Sequence, residues 1–173
     1  MFQDENLIYE KLNDATSIRG FIISAVSLFE ESVDQLINRV FLKTDFAVKS
    51  VVDSLLYQSG PLFELPIRLK VLLGLGVISH DVFEDINAFL SMKEQLNNDE
   101  KDYTFNDDNI ISFTQNLCHQ KDKPLITITN TSMDNHDSLQ HQMHLLRQEK
   151  IIRSSLILII SEIYEQLQIE SPL

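Results

Sequence analysis

The sequence predicts an all-α fold, a single-domain helical bundle of about six to seven helices with two long ones. Three observations carry that expectation. Only 4 Gly and 4 Pro stand among 173 residues, too few for a turn-rich sandwich or barrel. Hydrophobic residues at 43% and charged residues at 23% match an ordinary globular chain and not a disordered one. Apolar residues recur in steps of three and four over long stretches, the period of a helix with one buried face. The length suits one domain, residues 1–173, with enough chain for a sizeable core.

Thr16 or Ser17 can cap the first long helix, which then runs to Phe41 with Ile18, Phe21, Ile22, Phe29, Val33 and Leu36 along one stripe. At about 1.5 Å per residue it reaches roughly 39 Å and needs long partners. Phe46 to Leu56 reads as a shorter helix, ended by the turn chemistry of Gly60-Pro61. The next runs from about Leu65 to Leu73, with Pro66 in its first turn and Gly74 and Gly76 as its stop. Ser79 can cap a fifth helix to about Gln95, and Asp81 suits the positive end of its dipole.

Asn106 or Asp107 can cap a short helix to about Leu117. His119 to Asp137 is polar, aperiodic and broken by Pro124, which predicts a flexible loop with room for a brief strand at 125–129. The last helix should run from about Ser138 to Gln168. Leu145, Ile152, Leu156, Ile159, Ile163 and Leu167 make one stripe, and Ile157, Ile160 and Tyr164 add a second surface. A helix apolar on two sides lies between neighbours or at a subunit interface, so a homodimer fits.

The net charge is −12 and the sequence pI about 4.7, which disfavours non-specific wrapping of nucleic acid. Between Asp81 and Asp108 nine acids face only Lys93 and Lys101. No EF-hand spacing orders those acids, so we assign them no metal. A solvated face is the ordinary role of such a run, and a surface for a basic partner patch the sharper one. Cys118 is the single cysteine and builds no disulfide or thiolate metal site alone. The first ten residues lack the basic head and apolar stretch of a leader, and no segment is apolar for long enough to span a membrane. A cytoplasmic location is therefore expected.

No catalytic, cofactor-binding or metal-binding residues are assigned. His141 and His144 share a helical face but lack the acid of the His-Glu-x-x-His pattern. As a phosphoacceptor His144 is a poor fit, because Leu145-Leu146-Arg147 follow it where small residues belong. Phosphate loops and nucleophile elbows are missing from the sequence. The helix–Gly74…Ser79–helix segment has the outline of a helix-turn-helix, yet Asp81, Glu84 and Asp85 would be its readers. Carboxylates there repel phosphates, so the motif is rejected.

Several strings, in this order, resemble the MtlR family, the mannitol operon repressors and their close relatives. They are Arg19-Gly-Phe-Ile-Ile-Ser-Ala-Val26, Asp45-Phe-Ala-Val-Lys49, Gly60-Pro-Leu62 and Ile67-Arg-Leu-Lys-Val-Leu-Leu-Gly-Leu-Gly-Val-Ile78. Glu94-Gln-Leu-Asn97 and Tyr103-Thr-Phe-Asn-Asp-Asp108 complete the set, and the likeness continues more weakly through the last helix. The resemblance implies a cytoplasmic, all-helical repressor of mannitol uptake and catabolism genes, and it brings no DNA-contacting motif.

With the acidic charge, it points to repression through a protein partner, either a DNA-binding activator or a phosphotransferase-system component. Arg68 and Lys70, and Glu94, Asn97, Asp107 and Asp108, are the partner-binding candidates inside matching strings, against plain solubility and capping roles. The alternative is a direct DNA-binding repressor that gathers Arg39, Lys43, Lys49, Arg68 and Lys70 into one patch across a dimer. A sensor of mannitol or its phosphate would need a pocket, which a sequence does not display.

Overall fold

The computed structural model describes residues 2–41, 46–56, 59–121, 123, 139–170 and 172. Seven α-helices follow one another among them: α1 (Phe2–Asn13), α2 (Ile18–Val40), α3 (Phe46–Leu56), α4 (Leu65–Gly74), α5 (His80–Asn98), α6 (Asp108–Asn116) and α7 (Leu139–Leu167), with a 3-10 turn at Cys118–Gln120. The all-α expectation holds, and α2 and α7 are the two long helices.

α2 is the axis of the bundle, packed by α5, α7, α4 and α1. Its stripe explains why: Phe21, Ile22, Phe29, Val33, Leu36 and Ile37 are all fully buried. Phe29 meets Phe89 of α5 edge-to-face at 5.3 Å, and Phe89 in turn meets Phe113 of α6 at 5.1 Å. Each such side chain removed from water contributes about 1.5–3 kcal/mol, and the ring pairs add roughly 0.5–1.5 kcal/mol. Ser17 caps α2 by accepting the Gly20 N–H, and Ser79 caps α5 by accepting the Val82 N–H.

Glycine is required at two stops. Gly76 adopts φ +71°, and the Gly76 and Val77 N–H groups return to the Leu73 and Leu72 carbonyls, closing α4 with a left-handed cap. A Cβ on Gly60 would stand 2.3 Å from the Leu55 carbonyl oxygen, the same oxygen that accepts the Leu62 N–H.

Three expectations change. α1 was not foreseen, because only Ile8 and Leu12 among its described side chains are buried. Leu145 does not join the buried stripe of α7: it is exposed, and the first buried residue of that helix is Ile152. The segment expected to be a loop from His119 onward opens with ordered structure, since Gln120 is buried within the 3-10 turn. The remainder of that segment, residues 124–137 with the suggested strand at 125–129, lies outside the described residues. No described helix is long and apolar enough to cross a membrane.

Candidate functional site

Arg68, a candidate from the sequence, is drawn inward. It is 9% exposed; its Nε donates to the Leu62 carbonyl, Nη1 to Asp34 Oδ1 at 3.0 Å, and Nη2 to the Leu56 carbonyl. Those bonds tie α4 to α2 and to the last carbonyl of α3. Lys70, two residues on, is exposed.

The same use of arginine recurs at three other helix ends. Arg19 donates to the Asp99 carbonyl where α5 ends, and Arg39 to the Leu167 carbonyl where α7 ends. Arg153 donates to the carbonyls of Leu12, Asn13 and Ala15, closing the α1–α2 connection from α7, and its cation lies within 6 Å of the ring centres of Phe21 and Phe105. A helix leaves four carbonyls without partners at its C-terminus, and a planar guanidinium answers several at once. Four of the five arginines are thus committed to the protein's own backbone.

The acidic stretch divides into structural and exposed members. Asp107 accepts the Thr104 N–H at 2.6 Å, the Thr104 hydroxyl and the Lys101 ammonium, and the Thr104 amide bond leads in holding its carboxyl below the usual range. Asp99 accepts the Tyr103 hydroxyl at 2.6 Å, which lowers the acid and raises the phenol. Glu94, Asn97 and Asp108 are exposed. An open cleft of about 360 Å³ between α5 and α6 is lined by Ser91, Gln95, Asn109, Ser112 and Asn116 over Met92 and Phe113, and Glu94 and Asp108 are next in sequence to two of those residues. Glu94 and Asn97 therefore lie on α5, Asp107 and Asp108 at the start of α6, and Arg68 and Lys70 on α4.

A buried pair escaped the sequence reading. Asp85, 1% exposed on α5, accepts the backbone N–H groups of Cys118 and His119 and the His119 Nδ1 at 2.7 Å. The amide of Gln166, on α7, lies 2.9 Å from His119 Nε2, and beside it Lys123 pairs with Glu162. Burial pushes the Asp85 carboxyl up, but these hydrogen bonds outweigh it and hold the pKa below the ordinary value. The Asp85 bond raises His119, against its own burial. Burial and the Asp85 charge raise the Cys118 thiol, the opposite of a reactive thiolate. One signal was legible: Asp85 interrupts the apolar face Val82, Ile86, Phe89 of α5, and an acid in that position needs a buried partner. No group of three or more metal-ligating side chains forms among the described residues.

The chain matches the model of a known family over residues 4–168; the family is MtlR, described as mannitol repressor. The mannitol operon repressor of Escherichia coli K12 is 35% identical over 167 residues, covering 96% of this chain and 83% of that protein. Fumarase E of Shigella flexneri is 27% identical over 114 residues, 65% of this chain and 68% of that one. The X-ray structure of the MtlR–HPr complex from E. coli contains a chain with TM-score 0.87 and 34% identity, covering 95% of this chain and 98% of its own.

Proposed function

The chain belongs to the MtlR family of mannitol repressors, and from that premise we propose that it lowers expression of mannitol uptake and catabolism genes through a protein partner. The partner we assign is HPr or a protein of the same phosphotransferase class, acting in the cytoplasm. The single observation that carries this reading is the fold-wide likeness to the E. coli chain solved in complex with HPr. The exposed acids Glu94 and Asp108, with Asn97 and the α5–α6 cleft, are the surface we favour for that partner.

A direct grip on DNA is the second reading, and the arginine geometry speaks against it. Of the basic residues that would build its patch, Arg39 and Arg68 spend their donors on internal carbonyls, and Arg68 also on Asp34. Affinity for phosphates depends on free cations, and a surface with a net charge of −12 repels the rest of the duplex. We also read the chain as a regulator and not an enzyme. Among the described residues, the half-buried His119 has Nδ1 on Asp85 and Nε2 beside the Gln166 amide, so both ring nitrogens are engaged within the protein.

Titration calorimetry with purified HPr, beside fluorescence anisotropy on mannitol-promoter DNA at two salt concentrations, tests the reading. We expect saturable HPr binding that weakens for Glu94→Lys with Asp108→Lys, and equal weak binding to promoter and scrambled duplexes. Sequence-specific DNA binding without HPr, falling steeply with salt, would overturn it.

A further inference from the structure

We infer that the N-terminal half of α7 and the adjoining α5–α6 loop form a two-fold interface with a second copy of this chain. The inference does not rest on the repressor reading. Along α7 the first buried side chain is Ile152, so over about 20 Å of helix from Leu139 to Ile151 every side chain is exposed or half-buried. Leu139, Met143 and Leu146, at i, i+4 and i+7, are 74%, 61% and 59% exposed on that length. They include the most exposed large apolar side chain among the described residues, and a groove of about 450 Å³ opens beside Met143 and Leu146. A helix with one apolar stripe in water is marginal without something to cover it.

Charge identifies the cover. Arg147, the arginine that caps no helix end, and Lys150 are exposed beside the apolar stripe and line the same groove. The α5–α6 loop adjoins this arm in the same molecule, because Asn106 Nδ2 donates to the Leu145 carbonyl at 3.1 Å. On the loop Glu100 and Asp102 are exposed, and Arg19 holds it in place through the Asp99 and Lys101 carbonyls. A helix with exposed Arg147 and Lys150 on either side of half-buried Glu149 therefore adjoins a preordered loop on which exposed Glu100 and Asp102 flank Lys101, itself paired with Asp107.

An isologous contact requires a surface complementary to itself. Rotation about a two-fold near Leu145 sets the arm of each copy against the loop of the other, and the contact closes as a dimer. Arm against arm alone would oppose Arg147 and Lys150 to their own copies. A polyanion would meet the arm only by approaching Glu100 and Asp102 as well.

Sedimentation equilibrium of the full chain over a wide concentration range tests the interface. We expect a monomer–dimer equilibrium, with Met143→Asp and, separately, Leu139→Asp shifting it to monomer at unchanged helix content and melting temperature. Arg147→Glu with Lys150→Glu should weaken dimerisation about tenfold or more, as should Glu100→Lys with Asp102→Lys. The chain with all four reversals should regain it. A monomer at every concentration overturns the proposal, as does a dimer indifferent to both apolar variants or a four-fold reversal that fails to recover. Loss of HPr binding with an intact dimer would instead concern the partner surface alone.

Discussion

Asp85 Oδ2 and His119 Nδ1 lie 2.7 Å apart across 34 positions of sequence, with both side chains nearly buried. The pair joins α5 to the 3-10 turn, and Gln166 extends it to α7. Asp85 also satisfies two backbone donors that nothing else in the segment answers.

Replacing Asp85 should therefore cost more than one hydrogen bond. Asp85→Ala leaves two N–H groups and an imidazole without their acceptor, and we expect a loss of about 3–5 kcal/mol. Urea denaturation followed by circular dichroism measures it. A change under about 1 kcal/mol would mean that water replaces the carboxylate.

The same pair sets a pH dependence. His119 is held above its unfolded pKa of about 6.5, so its contribution is complete below that pH and fades as pH rises through the folded value. Asp85 is held below its unfolded value of about 3.9, so its contribution is complete above that pH and disappears as pH falls through the folded one. The urea midpoint should decline as pH rises above about 6.5, and His119→Gln should flatten that slope. An equal slope in the variant would assign the titration elsewhere.

Arg153 makes three carbonyl bonds through a single Nη2 while its cation lies 5.8 Å from the Phe21 ring centre and 5.4 Å from that of Phe105. Lysine ends one bond short of the position of Nη2 and lacks the broad cation that reaches both rings. Arg153→Lys should lower stability by about 2–3 kcal/mol and expose the α1–α2 connection first. Hydrogen exchange would show faster exchange in α1 with little change in α5.

The α4 candidates separate by burial. Arg68→Glu sets a buried carboxylate against Asp34 and removes the donors to Leu62 and Leu56, so the fold should fail before any interface is tested. Lys70→Glu changes only an exposed charge and should stay within about 0.5 kcal/mol of the parent. A mannitol-operon reporter therefore tests α4 as a surface through Lys70 and not through Arg68.

Gly60→Ala should destabilise by more than about 1 kcal/mol, because the added Cβ meets the Leu55 carbonyl at 2.3 Å. Gly74→Ala should be neutral or slightly stabilising, since nothing lies within 4 Å of that Cβ inside a helix. Thermal melts of the two variants side by side would settle the contrast.

Much of this protein was legible in local pattern. Apolar spacing placed α2 through α7 within a few residues of their ends, and Ser17, Ser79 and Gly76 marked boundaries because caps and left-handed turns are short-range chemistry, whereas Asp107 stands at the start of α6 with its carboxylate turned to Thr104 and Lys101. The family strings were visible for the same reason. What the charged residues do was not legible, since a charge reads alike whether it meets water or a backbone 80 positions away. Only tertiary structure turned Arg19, Arg39, Arg68 and Arg153 into caps on distant helix ends and brought Asp85 to His119. Tertiary structure alone also left Leu139, Met143 and Leu146 uncovered, although their spacing matches that of a buried stripe. Periodicity states which face of a helix is apolar; how far the bundle reaches along that helix decides whether the face is buried.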